Sequence, residues 1–216
     1  MDQTGIDALI VTPGANLRYL TGYAAIPLER LTCLVIQTDR SQLIVPELEL
    51  PAATAAGVTM DIHTWGETQD PFELVASLLS GAELVAVDDQ MWASRVFALQ
   101  DALPSAEFVL GGFITSELRA VKDQAEVDAL RDAGAAIDRV HSRMGEWLRP
   151  GRTEREVGAD IARAIVEEGH ERVDFVIVAS GPNGASPHHE VSDRVIGAGD
   201  PVVVDIGGTT PAGYCS

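Results

Sequence analysis

Two segments in the second half of the sequence carry residues that could do chemistry. The first, Ala179 to Glu190, contains the adjacent histidines His188 and His189 in a stretch rich in glycine and proline. A loop that follows an apolar strand is a common location for binding and catalytic side chains. Adjacent side chains rarely point the same way, so we expect at most one of the two histidines to face a site. The residues alone are equally compatible with a solvated loop whose histidines have no role.

The second segment places a single carboxylate after an apolar run. Asp205 follows the strand-like residues Val202 to Val204 and precedes Gly207 and Gly208, so we expect it to end a buried strand beside a turn. A buried carboxylate needs a pairing group or a bound cation, and carboxylate oxygens are preferred ligands of hard divalent metals. An aspartate that only caps the turn is the commoner arrangement, and these residues leave both possibilities open.

Other reactive side chains fit no familiar catalytic pattern. Ser180 and Ser186 lie near His188 but lack the spacing of a nucleophile elbow. The glycine-containing run 181–184 has neither a phosphate-binding lysine nor a dinucleotide fingerprint. The two cysteines are Cys33 and Cys215, and we expect no disulfide between them because the apolar content is sufficient for a full core.

The elements that must position these segments differ between the two halves of the chain. In the first half, short apolar runs alternate with helix-like stretches, which predicts an α/β domain with a mixed or largely parallel sheet. In the second half, apolar spacing predicts one long amphipathic helix over 116–149, and Thr153 with Glu156 predicts a capping box that starts a helix ending near residue 168. The remaining expected elements are strands at 6–11, 33–36, 42–45, 58–64, 84–87, 107–110, 175–178 and 202–204, and helices at 47–56, 71–79 and 91–103.

Composition restricts the class of protein. The 216 residues are 46% hydrophobic and 22% charged, which is ordinary for a globular protein. With 33 acidic against 15 basic residues the net charge is -18, which argues against nucleic acid or an anionic membrane as a partner. The first residues, 1–5, are acidic rather than basic, and no apolar run approaches the roughly 18 residues of a membrane span. We therefore expect a cytoplasmic protein without a secretory signal.

Taken together, these segments resemble the pita-bread metallopeptidases, in particular their Xaa-Pro dipeptidase and aminopeptidase P branch. Residues 5–12 and 16–23 are similar to the opening of the creatinase-type amino-terminal domain, and 118–130 to the first helix of the catalytic domain. Residues 180–189 and 199–208 are similar to the first active-site segments. The resemblance implies an α/β fold in two parts. Residues 1–116 would form a creatinase-like domain with a mixed sheet flanked by helices, and 117–216 the first part of a pita-bread (α+β) catalytic domain.

The resemblance also implies a site. Asp205 matches the first of five ligands, two aspartates, a histidine and two glutamates, that hold two divalent ions, often manganese or cobalt. His188, and not His189, matches the loop histidine that binds substrate and helps to stabilise the transition state. Such enzymes hydrolyse the bond before proline in Xaa-Pro dipeptides or short peptides with a metal-bridged water, and most are homodimers. The second aspartate would follow Ser216, so we expect this 216-residue chain to be a truncated form, inactive and free of metal.

Two other hypotheses share the architecture. One is a creatinase-like hydrolase without metals, and the other is a non-catalytic binding module. Asp205 favours the peptidase over the first, because a metal-free relative has no need of a carboxylate there. Asp205 and His188 together disfavour the second, as does the lack of long acidic tails. The residues that follow Ser216 would distinguish all three hypotheses.

Overall fold

The computed structural model describes residues 5–216, so the acidic residues 1–4 considered above lie outside the described residues. The chain divides into two compact units, 1–121 and 122–216. Cys33 and Cys215 are free thiols, as expected. Between residues 5 and 216, no helix combines the length and the apolar character needed to cross a bilayer.

The first unit is a six-stranded mixed sheet flanked by helices. The strands lie in the order β4-β3-β2-β1-β5-β6; β1 pairs antiparallel with β2 and β2 with β3, whereas the other three pairs are parallel. This confirms the predicted fold class. The strands are β1 (Ala8–Val11), β2 (Cys33–Gln37), β3 (Ser41–Pro46), β4 (Asp61–Trp65), β5 (Leu84–Val87) and β6 (Glu107–Leu110), and the helices are α1 (Ala15–Thr21), α2 (Leu50–Ala55), α3 (Pro71–Leu78), α4 (Ala93–Ala102) and α5 (Gly112–Ala120).

Burial on both faces of the sheet explains why the sequence of the central strand β1 is uniformly apolar. Its side chains alternate between the two faces of the sheet, and both faces are covered. Ala8 and Ile10 lie in one buried cluster, and Leu9 and Val11 lie in the other. A strand that is buried on both sides therefore shows no polar alternation.

The second unit is a helical layer packed on a two-stranded antiparallel sheet. Its elements are α6 (Gln124–Ser142), α7 (Met144–Trp147), α8 (Glu154–Glu167), β7 (Arg172–Ser180) and β8 (Val202–Thr209). Thr153 and Glu156 form the predicted capping box at the start of α8. One face of the sheet, with Val178 and Ile206, shares a core with Ile161 and Ile165 of α8.

The prediction of a single long helix over 116–149 is wrong, because three helices occupy this region. Helix α5 begins earlier, at Gly112, and ends before Val121, whose backbone is extended at φ −103° and ψ 111°. Asp123 then caps α6 in a capping box with Glu126, which starts a new helix. Apolar spacing continues across this break and so does not reveal it. The domain boundary expected after residue 116 falls inside α5.

Candidate functional site

The loop that carries the two histidines runs from β7 to β8 and is anchored at its base by Glu154. This glutamate lies in the first turn of α8, and its side chain is 0% exposed. Its carboxylate accepts hydrogen bonds from four residues: the Ser180 amide (2.7 Å) and hydroxyl (2.8 Å), Asn183 Nδ2 (3.0 Å), His189 Nε2 (2.8 Å), and the Ser192 amide (3.3 Å) and hydroxyl (2.6 Å). Both ends of the loop are thereby bound to one buried group.

The hydrogen bonds keep Glu154 ionised. Burial alone would raise the pKa of this carboxyl, but the donors from Ser192, Ser180 and His189 outweigh burial and hold the pKa well below its ordinary value of 4.5. A carboxylate that is ionised accepts hydrogen bonds only. His189 must therefore carry its proton on Nε2.

An ion pair between Arg194 and Asp200 binds the end of the loop where it joins β8. Arg194 donates through Nε to the carbonyl and hydroxyl of Ser180, at 3.1 and 3.0 Å, and through Nη2 to Asp200 at 2.7 Å. Asp200 also accepts from the Gly197 amide at 2.9 Å. The amide of Gly197, foremost, and Arg194 hold the pKa of Asp200 below its ordinary value against the opposing effect of burial. Gly181 is favoured here because its φ of +51° is one that L side chains rarely adopt, and a Cβ would also crowd Arg194 Nη2 at 2.7 Å.

The structure separates the adjacent histidines, as expected. His189 is partly buried and bound to Glu154, whereas His188 is exposed at the tip of the loop. Within residues 5–216 the His188 imidazole makes no hydrogen bond or ion pair, so both ring nitrogens are available to a ligand. The prediction that His188 is the functional histidine stays a prediction.

The expectation that Asp205 ends its strand is wrong. This residue lies within β8, directly opposite Ile177 of β7, and the strand continues to Thr209. Its side chain is exposed, on the face of the sheet opposite the α8 core. Burial therefore gives no reason to invoke a cation at Asp205. Within the described part of the chain, its carboxylate makes no hydrogen bond or ion pair.

The two glycines after Asp205 permit close packing rather than a turn. A Cβ on Gly207 would lie 2.7 Å from Phe175 Cε1, and one on Gly208 would lie 2.8 Å from the Arg172 carbonyl oxygen. Both residues pair with β7, so the hairpin continues where the glycines suggested that it would end.

Asp205 and the base of the histidine loop occupy the same face of the hairpin. Val203, two residues before Asp205, points to that face and is 48% exposed. A Cβ on Gly184, four residues before His188, would lie 3.4 Å from Val203 Cγ2. Around Asp205 this face carries apolar side chains, with Phe175 43% exposed on β7, and farther along it Thr209 binds Arg172 and Asp174. The chain thus presents the exposed Asp205 carboxylate between apolar neighbours on the face that the loop approaches.

These residues fit part of a metal centre and not the whole of one. Asp205 offers a hard oxygen ligand that suits a divalent cation. Among residues 5–216, however, no three His, Cys, Asp or Glu side chains are grouped so that they could hold a metal ion. The chain's own residues therefore define no catalytic step through a metal.

Glu154 was not predicted as a functional residue. The motif Thr153-Glu154-Arg155-Glu156 drew attention to Glu156, whose exposed carboxylate accepts from the Thr153 amide in the capping box and not from the loop. A glutamate in the first turn of a helix is normally solvated and favoured by the helix dipole. No local signal marks it as buried, because its partners are 26 to 38 residues away.

The chain thus consists of a mixed-sheet α/β unit followed by a unit in which helices pack on an antiparallel hairpin. Residues 1–121 match the model for the creatinase/prolidase N-terminal domain, and residues 128–216 match that for metallopeptidase family M24. The chain belongs to this creatinase/prolidase family, with an M24 domain following the N-terminal domain. The resemblance inferred from the sequence is confirmed.

Named relatives agree with this assignment. The probable dipeptidase PepE of Mycobacterium tuberculosis is 50% identical over 98% of this chain and 58% of its own length. The crystal structure of dipeptidase PepE from Mycobacterium ulcerans superposes with a TM-score of 0.89 at 50% identity, over 100% of this chain and 59% of that one. A prolidase from Thermococcus sibiricus gives a TM-score of 0.89 at 32% identity, over 100% and 60%. The chain spans about 58% of the length of these curated relatives.

Proposed function

We propose that the complete protein is a metal-dependent dipeptidase or aminopeptidase that cleaves the bond before proline. The observation that supports this proposal is the proximity of Gly184, in the His188 loop, to Val203 on the face that carries Asp205: a Cβ on Gly184 would lie 3.4 Å from Val203 Cγ2. One side chain offers an anionic oxygen ligand, and the other offers an imidazole that can donate a hydrogen bond. The names of the relatives, a dipeptidase and a prolidase, support the substrate class.

In this proposal each residue has a distinct role. Asp205 is one ligand of a pair of divalent ions, manganese or cobalt, which when bound supply Lewis-acid activation of a water nucleophile. His188 contacts the substrate and donates a hydrogen bond where negative charge develops on the carbonyl oxygen. Val203, two residues before Asp205, and Ile177, opposite it on β7, are its apolar neighbours on that face.

The alternative hypotheses are less well supported. A creatinase-like hydrolase without metals gives no role to an unpaired carboxylate at position 205, and a binding module gives none to the constrained loop around His188. The homodimer, the cytoplasmic location and the lack of nucleic-acid or membrane partners stay predictions. The 216 residues supply one of the proposed metal ligands, so we expect this chain alone to hydrolyse no dipeptide and to bind no stoichiometric manganese.

The test compares two polypeptides and two substrates. The protein with a complete M24 domain and the 216-residue chain are each assayed, after chelation and with added manganese or cobalt, on an Xaa-Pro dipeptide and on the same dipeptide with alanine in place of proline. We expect metal-dependent hydrolysis of the proline substrate by the complete protein only. The proposal fails if the complete protein hydrolyses neither dipeptide with either ion, or if it does so equally well without metal.

A further inference from the structure

The loop between β7 and β8 has an anchored base and an exposed tip. Hydrogen bonds to Glu154 hold positions 180, 183, 189 and 192. Residues 185 to 188 are exposed between these anchors, and His188 is the last of them. Since His188 directly precedes an anchored residue, its backbone position depends on the bond between His189 and Glu154.

The same helix turn that supplies Glu154 also binds the far end of the loop through its backbone. The amides of Glu154 and Arg155 donate to the carbonyls of Arg194 and Ser192, at 3.1 and 3.0 Å. These amides belong to the first turn of α8, whose N–H groups have no partner within the helix. Gly158 lets the loop approach closely, since a Cβ there would lie 2.9 Å from Val191 Cγ1. The helix start and the loop therefore form one continuous hydrogen-bonded unit.

We propose that Glu154 is a positioning residue for the peptidase site: by binding His189 inward, it fixes the direction in which His188 faces outward. The role given to His188 rests on the proposed function, whereas the geometry of the loop is independent of it. Glu154 has no contact with a substrate in this arrangement. It acts through His189, through the serines at both ends of the loop, and through the single tautomer that its ionised carboxylate imposes on the imidazole.

Two measurements on the 216-residue chain test the positioning directly. Long-range ¹H–¹⁵N NMR on the wild type should show His189 protonated on Nε2, a signature that a merely space-filling glutamate would not impose. In Glu154→Gln, amide hydrogen exchange at Ser180 and Ser192 should accelerate by about tenfold or more, while the amides of α6 change little. Glu156→Gln removes a charge two residues away and keeps a capping-box side chain, so it should leave the loop amides unchanged.

A third measurement links the loop to activity. In the protein with a complete M24 domain, Glu154→Gln should lower kcat by about 100-fold, with metal content unchanged and a smaller effect on KM, because a displaced catalytic group costs rate more than binding.

The outcomes separate the two proposals. A wild-type His189 protonated on Nδ1 and not on Nε2 overturns the positioning role even if Glu154→Gln fails to fold. Loop amides that exchange at the wild-type rate in a folded Glu154→Gln variant overturn it as well. A complete protein that hydrolyses no dipeptide refutes the proposed function, while the NMR and exchange results still decide the role of Glu154.

Discussion

At the scale of single residues, the two carboxylates of interest have opposite surroundings. Glu154 is fully buried and satisfied by donors from four residues, whereas Asp205 is exposed and makes no side-chain bond within the described part of the chain. A satisfied buried carboxylate stabilises the fold only while its donors remain paired, since removing one side leaves the others unsatisfied. Glu154 therefore has a structural role at the site, and Asp205 has a role in its proposed chemistry.

The stability contributed by Glu154 should depend on pH. We expect Glu154→Gln to lower the free energy of unfolding of the second unit by about 3 kcal/mol at pH 7, because an amide cannot accept all of these bonds. The pKa of folded Glu154 lies below its ordinary 4.5, so its contribution is complete above pH 4.5 and declines as the pH falls further. Urea unfolding at pH 7 and pH 3.5 checks this. A gap between wild type and variant that is constant or widens at low pH would contradict it.

Asp205→Asn should leave stability almost unchanged. Because its carboxylate is exposed and unbonded within residues 5–216, the change in free energy of unfolding should be below about 0.5 kcal/mol. Asp200→Asn is the matched control, and it should destabilise the protein measurably since Asp200 accepts from Arg194 and Gly197. The same urea titration measures both variants. A larger loss for Asp205→Asn than for Asp200→Asn would mean that Asp205 has a structural role.

At the scale of elements, the hairpin β7–β8 depends on glycines that the chain cannot replace. A Cβ on Gly208 would collide with the Arg172 backbone at 2.8 Å, and backbone cannot move aside cheaply. Gly208→Ala should therefore lower the free energy of unfolding by about 2–3 kcal/mol. Gly134→Ala in α6 is the control, because nothing lies within 4 Å of its Cβ position and alanine favours helix by about 0.5–1 kcal/mol. Thermal unfolding of both variants should give shifts of opposite sign.

The same elements show which parts of the fold can be predicted from local sequence. The first-unit strands and the capping box of α8 were predictable because apolar runs and Thr153 with Glu156 encode them locally. Helix α1 was missed, since it begins after Gly14 without a side-chain cap. The break at Val121 has a local signal, the capping box of Asp123 with Glu126, which the apolar spacing obscured. The continuation of β8 past Asp205 depends on pairing with β7, about 30 residues away. The hub at Glu154 joins positions up to 38 residues apart, so only the folded chain reveals it.

At the scale of the whole molecule, the two units have separate cores. We propose that residues 1–121 form an independent folding domain, because its two apolar clusters are built from its own residues. Produced alone, residues 1–121 should unfold cooperatively in urea, with Trp65 and Trp92 as fluorescence probes; Trp147 belongs to the second unit. A gradual, non-cooperative loss of signal would show that this segment does not fold by itself.

The central claim is that Asp205 is a metal ligand in the complete protein, and calorimetric titration with manganese tests it most directly. The wild-type protein with a complete M24 domain should bind two manganese ions per chain, Asp205→Asn should lose at least one of them, and Asp200→Asn should bind as the wild type does. Undiminished manganese binding by a folded Asp205→Asn protein would contradict the assignment.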